Sequence, residues 1–235
     1  MPKKSHPGSK AGTNRNLLIA LLAGAVVVAA VVVGVLTLGG GSDTVDAASA
    51  AYLDGIPQSR DVLGEEAATV TMIQFEDLQC PVCERFTQEG QEDIVTQYVR
   101  TGKVKLRFVG LAFLGEDSQK ALRYALAAGK QNKLWQYTEL LYENQGPENA
   151  GWVTDSLLEQ IAGALDLNWD TLKTDAASVS VTQQATLMAQ EGAQKQVSGT
   201  PTFFIRVGDG TPYQVQPQSF SVEAFTPIFE DALAQ

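Results

Sequence analysis

The chain contains two cysteines, Cys80 and Cys83, separated by two residues in the run FEDLQCPVC. A thiolate attacks disulfides, and a second thiol three residues away can resolve the mixed disulfide that forms. The run follows a predicted strand and begins a predicted helix, whose free N–H groups and dipole stabilise an anion at Cys80. We therefore predict that Cys80 is the nucleophile and Cys83 the resolving thiol, with Pro81 in the first helical turn.

Two other interpretations of the cysteine pair remain open. A zinc site would need two further ligands, and these would have to be carboxylates, because the chain has no other cysteine and its single histidine, His6, lies near the N-terminus. A purely structural disulfide would close too small a loop to constrain the unfolded chain much. A redox-active pair fits the spacing and the helix start better. Because such a pair holds two electrons itself, we expect no metal and no cofactor.

Composition excludes several other classes of function. With His6 in a short basic tail, the rest of the chain contains no Ser-His-Asp triad, no Cys-His dyad and no histidine-ligated zinc. The net charge is -10, and the first sixteen residues hold four basic residues and no acid, so the remainder is more acidic still. Phosphate binding needs a basic surface, and we therefore expect no nucleic-acid partner.

An uncharged apolar segment, residues 17–38, follows the basic tail. As a helix it is long enough to cross the ~30 Å hydrocarbon core, which predicts a transmembrane anchor. The positive-inside rule then places residues 1–16 in the cytoplasm and the cysteine pair outside, in an oxidising compartment. A cleaved signal peptide is the alternative, with Ala48-Ser49-Ala50 as its distant cleavage site.

Residues 39–55 are small and polar and predict a flexible tether. Beyond it, two runs rich in β-formers, 69–75 and 104–109, flank a helical pattern at 85–100. Strand, helix and strand within about forty residues form a βαβ unit. The spacing of these elements places the cysteine pair at the end of the first strand.

A block of helical patterns without strands comes next, followed by two strands and a last helix. Predicted helices cover residues 118–128, 133–142, 155–165, 169–176 and 181–194. Thr154 and Asn168 are the predicted N-caps of the third and fourth. Strands 202–207 and 213–216 are joined by Gly208-Asp209-Gly210, and Thr226-Pro227 is predicted to begin the final helix. This order predicts an α/β fold with a small mixed sheet, a helical insertion at about 116–195, and helices from both halves covering the sheet.

Two motifs carry a family resemblance. The run IQFEDLQCPVC, together with Val197-Ser-Gly-Thr-Pro201-Thr-Phe-Phe-Ile205 far downstream, resembles the DsbA-like branch of thioredoxin-fold thiol-disulfide oxidoreductases. The similarity extends from about residue 56 to the C-terminus. It implies a thioredoxin fold with a helical insertion over 56–235, preceded here by one transmembrane helix. It also implies that Thr200 and Pro201 form a cis-proline loop that faces the cysteines and contacts the substrate.

The resemblance further implies a function and partners. We expect an extracytoplasmic enzyme that oxidises cysteine pairs in exported polypeptides and is reoxidised by a membrane quinone-linked protein of the DsbB or vitamin K epoxide reductase type. A monomer is expected, because such oxidases commonly act alone. The alternatives are a reductase or isomerase kept reduced by a membrane donor, and a tethered client-binding module with a structural disulfide.

One position departs from the family pattern. Many relatives have a buried glutamate six residues before the first cysteine, where this chain has Gln74. Proton transfer would then use water or another carboxylate, and Glu76 and Asp77 are the candidates, although loop acids are usually solvated. Acids close to Cys80 disfavour its thiolate, so we expect its pKa to lie between those of free cysteine and of strongly oxidising relatives. The pair should then be a milder oxidant than DsbA, whose reduction potential is roughly -120 mV.

Overall fold

A computed structural model describes residues 45–235 of the chain. The predicted cytoplasmic tail 1–16, the predicted anchor 17–38 and the first part of the predicted tether lie outside the described residues. Within residues 45–235, no helix combines the length and the apolar character that crossing a bilayer requires.

A six-stranded mixed sheet forms the centre of the described part. Its strands are β1 (Gln58–Ser59), β2 (Val62–Leu63), β3 (Val70–Glu76), β4 (Val104–Gly110), β5 (Thr202–Val207) and β6 (Tyr213–Val215). The order across the sheet is β1-β2-β4-β3-β5-β6, in which β3 and β4 are parallel and the other neighbours antiparallel. All seven residues of β3 are buried, as expected for a central strand covered on both faces. The two-residue strands β1 and β2 were not predicted, because they are too short to show a period.

Helix α1, residues 81–99, connects β3 to β4 and completes the predicted βαβ unit. It begins directly after Cys80, four residues before the predicted start. Its backbone is α-helical at Pro81–Phe86 and Glu92–Ile94, and it widens to π-helical geometry at Thr87–Gln91 and Val95–Val99. Such wide turns occur often at functional sites.

Five helices lie between β4 and β5, as predicted for the insertion. They are α2 (Glu116–Lys130), α3 (Leu134–Glu143), α4 (Asp155–Ala164), α5 (Trp169–Ala176) and α6 (Val179–Gln194). Both predicted caps are confirmed: the Thr154 side chain accepts a hydrogen bond from Leu157 N at the start of α4, and Asn168 accepts one from Thr171 N at the start of α5. Each boundary lies within two residues of its prediction.

The last helix, α7 (Val222–Leu233), corrects one prediction. It begins after Ser221, so Thr226 and Pro227 lie inside the helix rather than at its start. Proline removes one backbone donor there, while Thr226 Oγ1 donates to Val222 O at 3.0 Å. The earlier start is favoured because it buries Val222 completely against the sheet side of the molecule.

The predicted flexible tether is wrong for residues 45–55. Ala47–Leu53 forms a 3-10 helix whose N-cap, Asp46, accepts a hydrogen bond from Ala48 N. Ala50 and Leu53 are buried, and their spacing of three residues places both on one face of a 3-10 helix. Arg100, after the end of α1, donates to backbone carbonyls in this segment. The folded domain therefore includes residues from Val45 onward.

Helices cover both faces of the sheet, as predicted. On one face, an aromatic cluster joins α1 and α7 to β5 through Phe86, Phe203 and Phe225, with ring centroids 4.8–5.9 Å apart. On the other face, the Arg107 guanidinium of β4 makes two hydrogen bonds to Glu191 of α6, at 2.8 and 2.9 Å. The aromatic cluster holds the first turns of α1 against the sheet.

Candidate active site

Cys80 lies at the N-terminal end of α1, where β3 has just ended. Its carbonyl accepts hydrogen bonds from the N–H groups of Cys83 (3.0 Å) and Glu84 (3.1 Å), which closes the first turn of the helix. Both cysteines are free thiols. Cys80 is 7% exposed and Cys83 is fully buried. A partner disulfide can therefore reach only the sulfur of Cys80.

The second motif lies directly against the first. The Thr200-Pro201 peptide bond is cis, as the resemblance implied. The Cys80 thiol donates to the Thr200 carbonyl, with 3.3 Å between Sγ and O across a sequence separation of 120 residues. The fold thus places Thr200 and Pro201 beside the sulfur that a substrate would attack.

The surroundings of Cys80 favour its thiolate and lower its pKa to about 6. The main cause is a hydrogen bond from the Cys83 thiol, and partial burial opposes it. The Thr200 side chain and the backbone N–H groups of Cys83 and Val82 add smaller contributions that lower the pKa further. This direction agrees with the expectation for Cys80, and its source is local donors at the helix start.

Loss of the Cys83 donor should raise the pKa of Cys80. We expect Cys83→Ala to move this pKa up toward the value of an ordinary cysteine, because the largest stabilising contact disappears. Cys83→Ser keeps a donor of nearly the same size and should move it less. Thiolate absorbance measured against pH gives both values. Equal pKa values in the two variants would show that the Cys83 thiol does not stabilise the anion.

Cys83, by contrast, is held as the protonated thiol. Burial raises its pKa well above the usual value, and the hydrogen bond to Cys80 and the charges of Glu76 and Cys80 act in the same direction. A thiol that must become a nucleophile in this position needs a base close by. The two cysteines therefore have the distinct properties expected of an attacking thiol and a resolving thiol.

Glu76 is not a solvated loop acid, and that expectation is wrong. It is the last residue of β3 and 2% exposed. The Tyr142 hydroxyl of α3 donates to Glu76 Oε2 at 2.8 Å. Burial raises the pKa of Glu76 to about 8, the Tyr142 bond opposes the rise, and the charge on Cys80 adds to it. A carboxyl group that changes protonation near neutral pH thus lies beneath the cysteine pair.

Asp77 is also buried, which corrects the same expectation, but its surroundings differ. Its carboxylate accepts four hydrogen bonds, which come from Gln79 N (2.9 Å), Phe113 N (2.8 Å), Leu114 N (3.2 Å) and the Ser118 hydroxyl (2.5 Å). These donors belong to the cysteine loop, the β4–α2 loop and α2. Asp77 therefore fixes the position of the loop before Cys80, and it is a positioning residue rather than a proton carrier.

We expect Asp77→Ala to destabilise the protein by about 3 kcal/mol or more, because four buried or half-buried donors would lose their acceptor. Asp93→Ala, an exposed acid on α1, is the matched control and should change the free energy of unfolding little. Urea unfolding of both variants measures the difference. A loss for Asp77→Ala no larger than that for the control would contradict this role.

Gln74 lies in β3 and is fully buried. Neither its amide nitrogen nor its amide oxygen has a hydrogen-bond partner among residues 45–235. A carboxamide does not titrate at neutral pH, so Gln74 cannot itself accept the proton. Gln74 and Glu76 point to the same face of the strand, because side chains alternate along β3.

An open groove with a volume of about 530 Å³ is lined by Val82 and Thr200, which are neighbours of Cys80. The start of α1, the Thr200-Pro201 loop and the segment from β6 to α7 line it. Gly90 of α1 lets the helix approach that segment, since an added Cβ would lie 1.7 Å from Phe220 O. Its lining by Val82, Thr200 and Pro201 makes it the candidate binding site for a polypeptide.

Sequence reasoning missed two residues of this site, Tyr142 and Glu139. Both lie in α3, which is buried over nine of its ten residues. The Tyr52 hydroxyl donates to Glu139 Oε2 at 2.5 Å. Burial raises the pKa of Glu139 to about 7. The one available signal was an acid and a tyrosine three residues apart in one predicted helix, which alone does not show that either is buried.

Known proteins resemble this chain in sequence and in fold. A family profile described as Thioredoxin matches residues 58–220. Disulfide bond formation protein D of Bacillus subtilis is 28% identical over 147 residues, which are 61% of this chain and 66% of that protein. The crystal structure of oxidised BdbD from Bacillus subtilis has a TM-score of 0.66 and 24% identity, covering 75% of this chain and 94% of BdbD. Wolbachia pipientis alpha-DsbA1 has a TM-score of 0.65 and 19% identity, covering 77% and 92%.

Proposed function

Because the chain belongs to the thioredoxin family and is a thiol-disulfide oxidoreductase of the DsbA-like kind, we propose that it oxidises cysteine pairs in exported polypeptides. The proposal depends on the environment of the Cys80 sulfur. Its sulfur is the accessible one of the pair, its pKa is lowered to about 6, and it faces the Thr200 carbonyl beside an open groove. A stabilised thiolate stabilises the reduced form, which makes the disulfide an oxidant.

The reaction transfers two electrons from the client to the cysteine pair. A client thiolate attacks the Cys80 sulfur, a client–Cys80 bond forms, and the Cys80–Cys83 bond breaks with Cys83 leaving. A second client thiolate then attacks the client sulfur of this mixed disulfide. The client disulfide forms and Cys80 leaves as the thiolate. The low pKa of Cys80 makes it a good leaving group in this second step.

Cys83 exchanges a proton in each direction of this reaction, and we assign that proton to Glu76. As Cys83 leaves, its high pKa makes it take up a proton, and when the pair is reoxidised it must lose one. Glu76 influences Cys83 electrostatically and has a pKa of about 8, so it can donate or accept near neutral pH. Glu76 lies two residues after Gln74 on the same face of β3. It would take the role of the glutamate that relatives have at the Gln74 position.

Client chains are proposed to bind in the groove beside Cys80. Thr200 and Pro201 line it, together with Val82 and Arg85 of α1. An extended client would pass its cysteine to the N-terminal end of α1, where the Cys80 sulfur lies. The Thr200 carbonyl, which accepts from the Cys80 thiol, would then be available to a backbone donor of the client.

The compartment and the redox partner are part of the proposal. Residues 17–38 would anchor the protein with its N-terminus in the cytoplasm and residues 45–235 outside. A quinone-linked membrane protein of the DsbB or vitamin K epoxide reductase type would reoxidise the pair. Support comes from the apolar segment, from the basic residues before it, and from relatives named as disulfide bond formation proteins.

Equilibration with glutathione tests the oxidase role. A reduction potential above that of thioredoxin, at about -270 mV, and toward that of DsbA is expected of an oxidase. A potential at or below the thioredoxin value would favour the reductase alternative. A variant with both cysteines replaced by serine separates the binding module from the enzyme: it should lose all disulfide transfer, whereas a binding module would retain its clients.

A further inference from the structure

A stripe of buried polar side chains runs inward from Cys83. Along α1, Cys83, Thr87 and Gln91 follow one another at four-residue spacing, and all three are buried. Residues at this spacing lie on one face of a helix. Most buried positions in such a helix would be apolar, so the stripe marks a polar path between α1 and its neighbours.

Two neighbouring elements contribute matching polar groups. β3 supplies Glu76, and α3 supplies Tyr142 and, one turn earlier, Glu139. The Tyr142 hydroxyl donates to Glu76 at 2.8 Å, and the Gln91 amide of α1 donates to Glu139 at 3.2 Å. The charge of Glu139 acts on Glu76. The two buried acids thus belong to one polar cluster, which we call the acid seam: Gln74, Glu76, Thr87, Gln91, Glu139 and Tyr142.

Several atoms of the acid seam have no hydrogen-bond partner in the part of the chain that the structure describes. They are both amide atoms of Gln74, Glu76 Oε1 and Thr87 Oγ1. Buried polar atoms of this kind are the usual partners of buried water, and water can carry protons between carboxyl groups. The outer end of the seam reaches the surface, because Glu139 is 8% exposed and bonds to the half-buried Tyr52 of the 3-10 helix.

We propose that the acid seam is a proton relay. The proton that leaves Cys83 binds Glu76, the proton that Glu76 held passes to Glu139, and Glu139 releases a proton to solvent beside Tyr52. This inference rests on the proposed function and extends the path of its proton. During reoxidation the Cys83 S–H bond breaks, the Cys83–Cys80 bond forms, and the bond from Cys80 to the oxidant's sulfur breaks. The oxidant's thiolate takes a proton from solvent, so one proton leaves through the seam and one is taken up outside.

The electrostatics of the seam support this order. The pKa of Glu76 is about 8 and that of Glu139 about 7, so near neutral pH the inner acid is mostly protonated and the outer acid is half ionised. Besides burial, the charges of Cys80 and Glu139 raise the pKa of Glu76. Once Cys80 is linked to a partner, its charge is gone, and Glu76 ionises more readily at the moment when Cys83 must lose its proton.

Three elements place polar or charged groups around Glu139. Tyr52 of the 3-10 helix and Gln91 of α1 lower its pKa through hydrogen bonds, while the charges of Glu143 on α3 and Glu92 on α1 raise it. The Tyr52 hydroxyl is itself held protonated, because burial and Glu139 raise its pKa well above the usual value. Tyr52 therefore remains a donor through the pH range in which Glu139 titrates.

The rate at which Cys83 closes on a Cys80–glutathione mixed disulfide tests the relay. The full-length reduced protein is mixed with excess glutathione disulfide, quenched with acid and alkylated, and mass spectrometry follows the mixed disulfide and its closure from pH 5 to pH 9. In Glu139→Gln the outer acceptor is lost, and closure must wait for Glu76 to ionise by itself. In the reduced wild type, with a pKa of about 8, Glu76 is ionised in about one molecule in ten at pH 7, and loss of the Cys80 and Glu139 charges increases this fraction.

We expect closure in Glu139→Gln to be slower than in the wild type at pH 7, by at most about fivefold, because Glu139 is itself only half ionised there and loss of its charge also lowers the pKa of Glu76. At pH 9, where Glu76 is ionised without help, the two rates should be nearly equal. Glu143→Gln removes the same charge from the exposed next turn of α3 and should retain the wild-type pH profile, apart from a small shift toward lower pH. Tyr52→Phe should move the rise of the closure rate to higher pH, because the hydroxyl that lowers the pKa of Glu139 is lost.

Identical profiles for Glu139→Gln and wild type would overturn the relay while leaving the enzyme reaction intact. If Glu139→Gln does not fold, Tyr52→Phe decides, and an unshifted profile for Tyr52→Phe overturns the relay. Failure of the wild type to form any Cys80–Cys83 disulfide from the mixed disulfide would instead refute the proposed function.

Discussion

A Cys83→Ser variant is expected to remain covalently joined to its clients through Cys80. The attacking sulfur is intact and its thiolate is still stabilised at the start of α1, but no thiol is left to release the partner. Cys80→Ser should form no such adducts, because the remaining Cys83 is fully buried and its pKa is raised. We expect adducts in the first variant to exceed those in the second by at least tenfold.

Non-reducing gels of the two variants, incubated with an oxidised client protein or expressed in cells, measure the adducts. The double serine variant is the background control. Reducing agent should cleave the mixed disulfides and remove every adduct band. Comparable adduct formation by the Cys80→Ser and Cys83→Ser variants would contradict the assigned roles. It would show that burial does not prevent Cys83 from reacting with a client.

Glu76→Gln is expected to stabilise the reduced protein strongly at alkaline pH. The folded pKa of about 8 lies above the ordinary value of 4.5, so between these values the folded state binds more protons than the unfolded state. The free energy of unfolding therefore falls as pH rises through this range, by about 1.4 kcal/mol for each unit and about 5 kcal/mol in total. Glutamine is never ionised and avoids this loss.

Urea unfolding at pH values from 4 to 9 measures the effect. The variant and the wild type should be similar near pH 4, where Glu76 is protonated in both states, and the variant should gain stability steadily toward pH 8. Glu148→Gln, which changes an exposed acid, should follow the wild type throughout. A constant difference between the Glu76→Gln variant and the wild type at all pH values would show that Glu76 does not titrate with a raised pKa.

Local sequence patterns predicted the elements of the fold well where those patterns are strong. The β-rich runs, the helical periods and the polar caps Thr154 and Asn168 each specify local structure within a few residues. Pro227 misled the prediction of α7, because the buried packing of Val222 outweighs the preference of proline for a first turn. The 3-10 helix was missed because two buried residues, Ala50 and Leu53, are too few to reveal a period.

The active site was predictable only in part. The spacing of Cys80 and Cys83 and the distant Thr200-Pro201 motif located the reactive centre, and the structure brings these motifs within 3.3 Å. Burial of Glu76 could not be inferred, because its partner, Tyr142, lies 66 residues away and joins it only in the fold. The same holds for Asp77, because three of its four donors, Phe113 N, Leu114 N and the Ser118 hydroxyl, lie 36 to 41 residues away and join it only in the fold.

Disulfide transfer to a reduced client is the direct test of oxidase activity. Oxidised protein is mixed with one equivalent of a reduced, unfolded polypeptide containing two cysteines, and thiol alkylation followed by mass spectrometry counts the free thiols on both chains. We expect most of the client to gain a disulfide while Cys80 and Cys83 become thiols. A mixture in which the client keeps its thiols and the Cys80–Cys83 disulfide persists at equilibrium would contradict an oxidase.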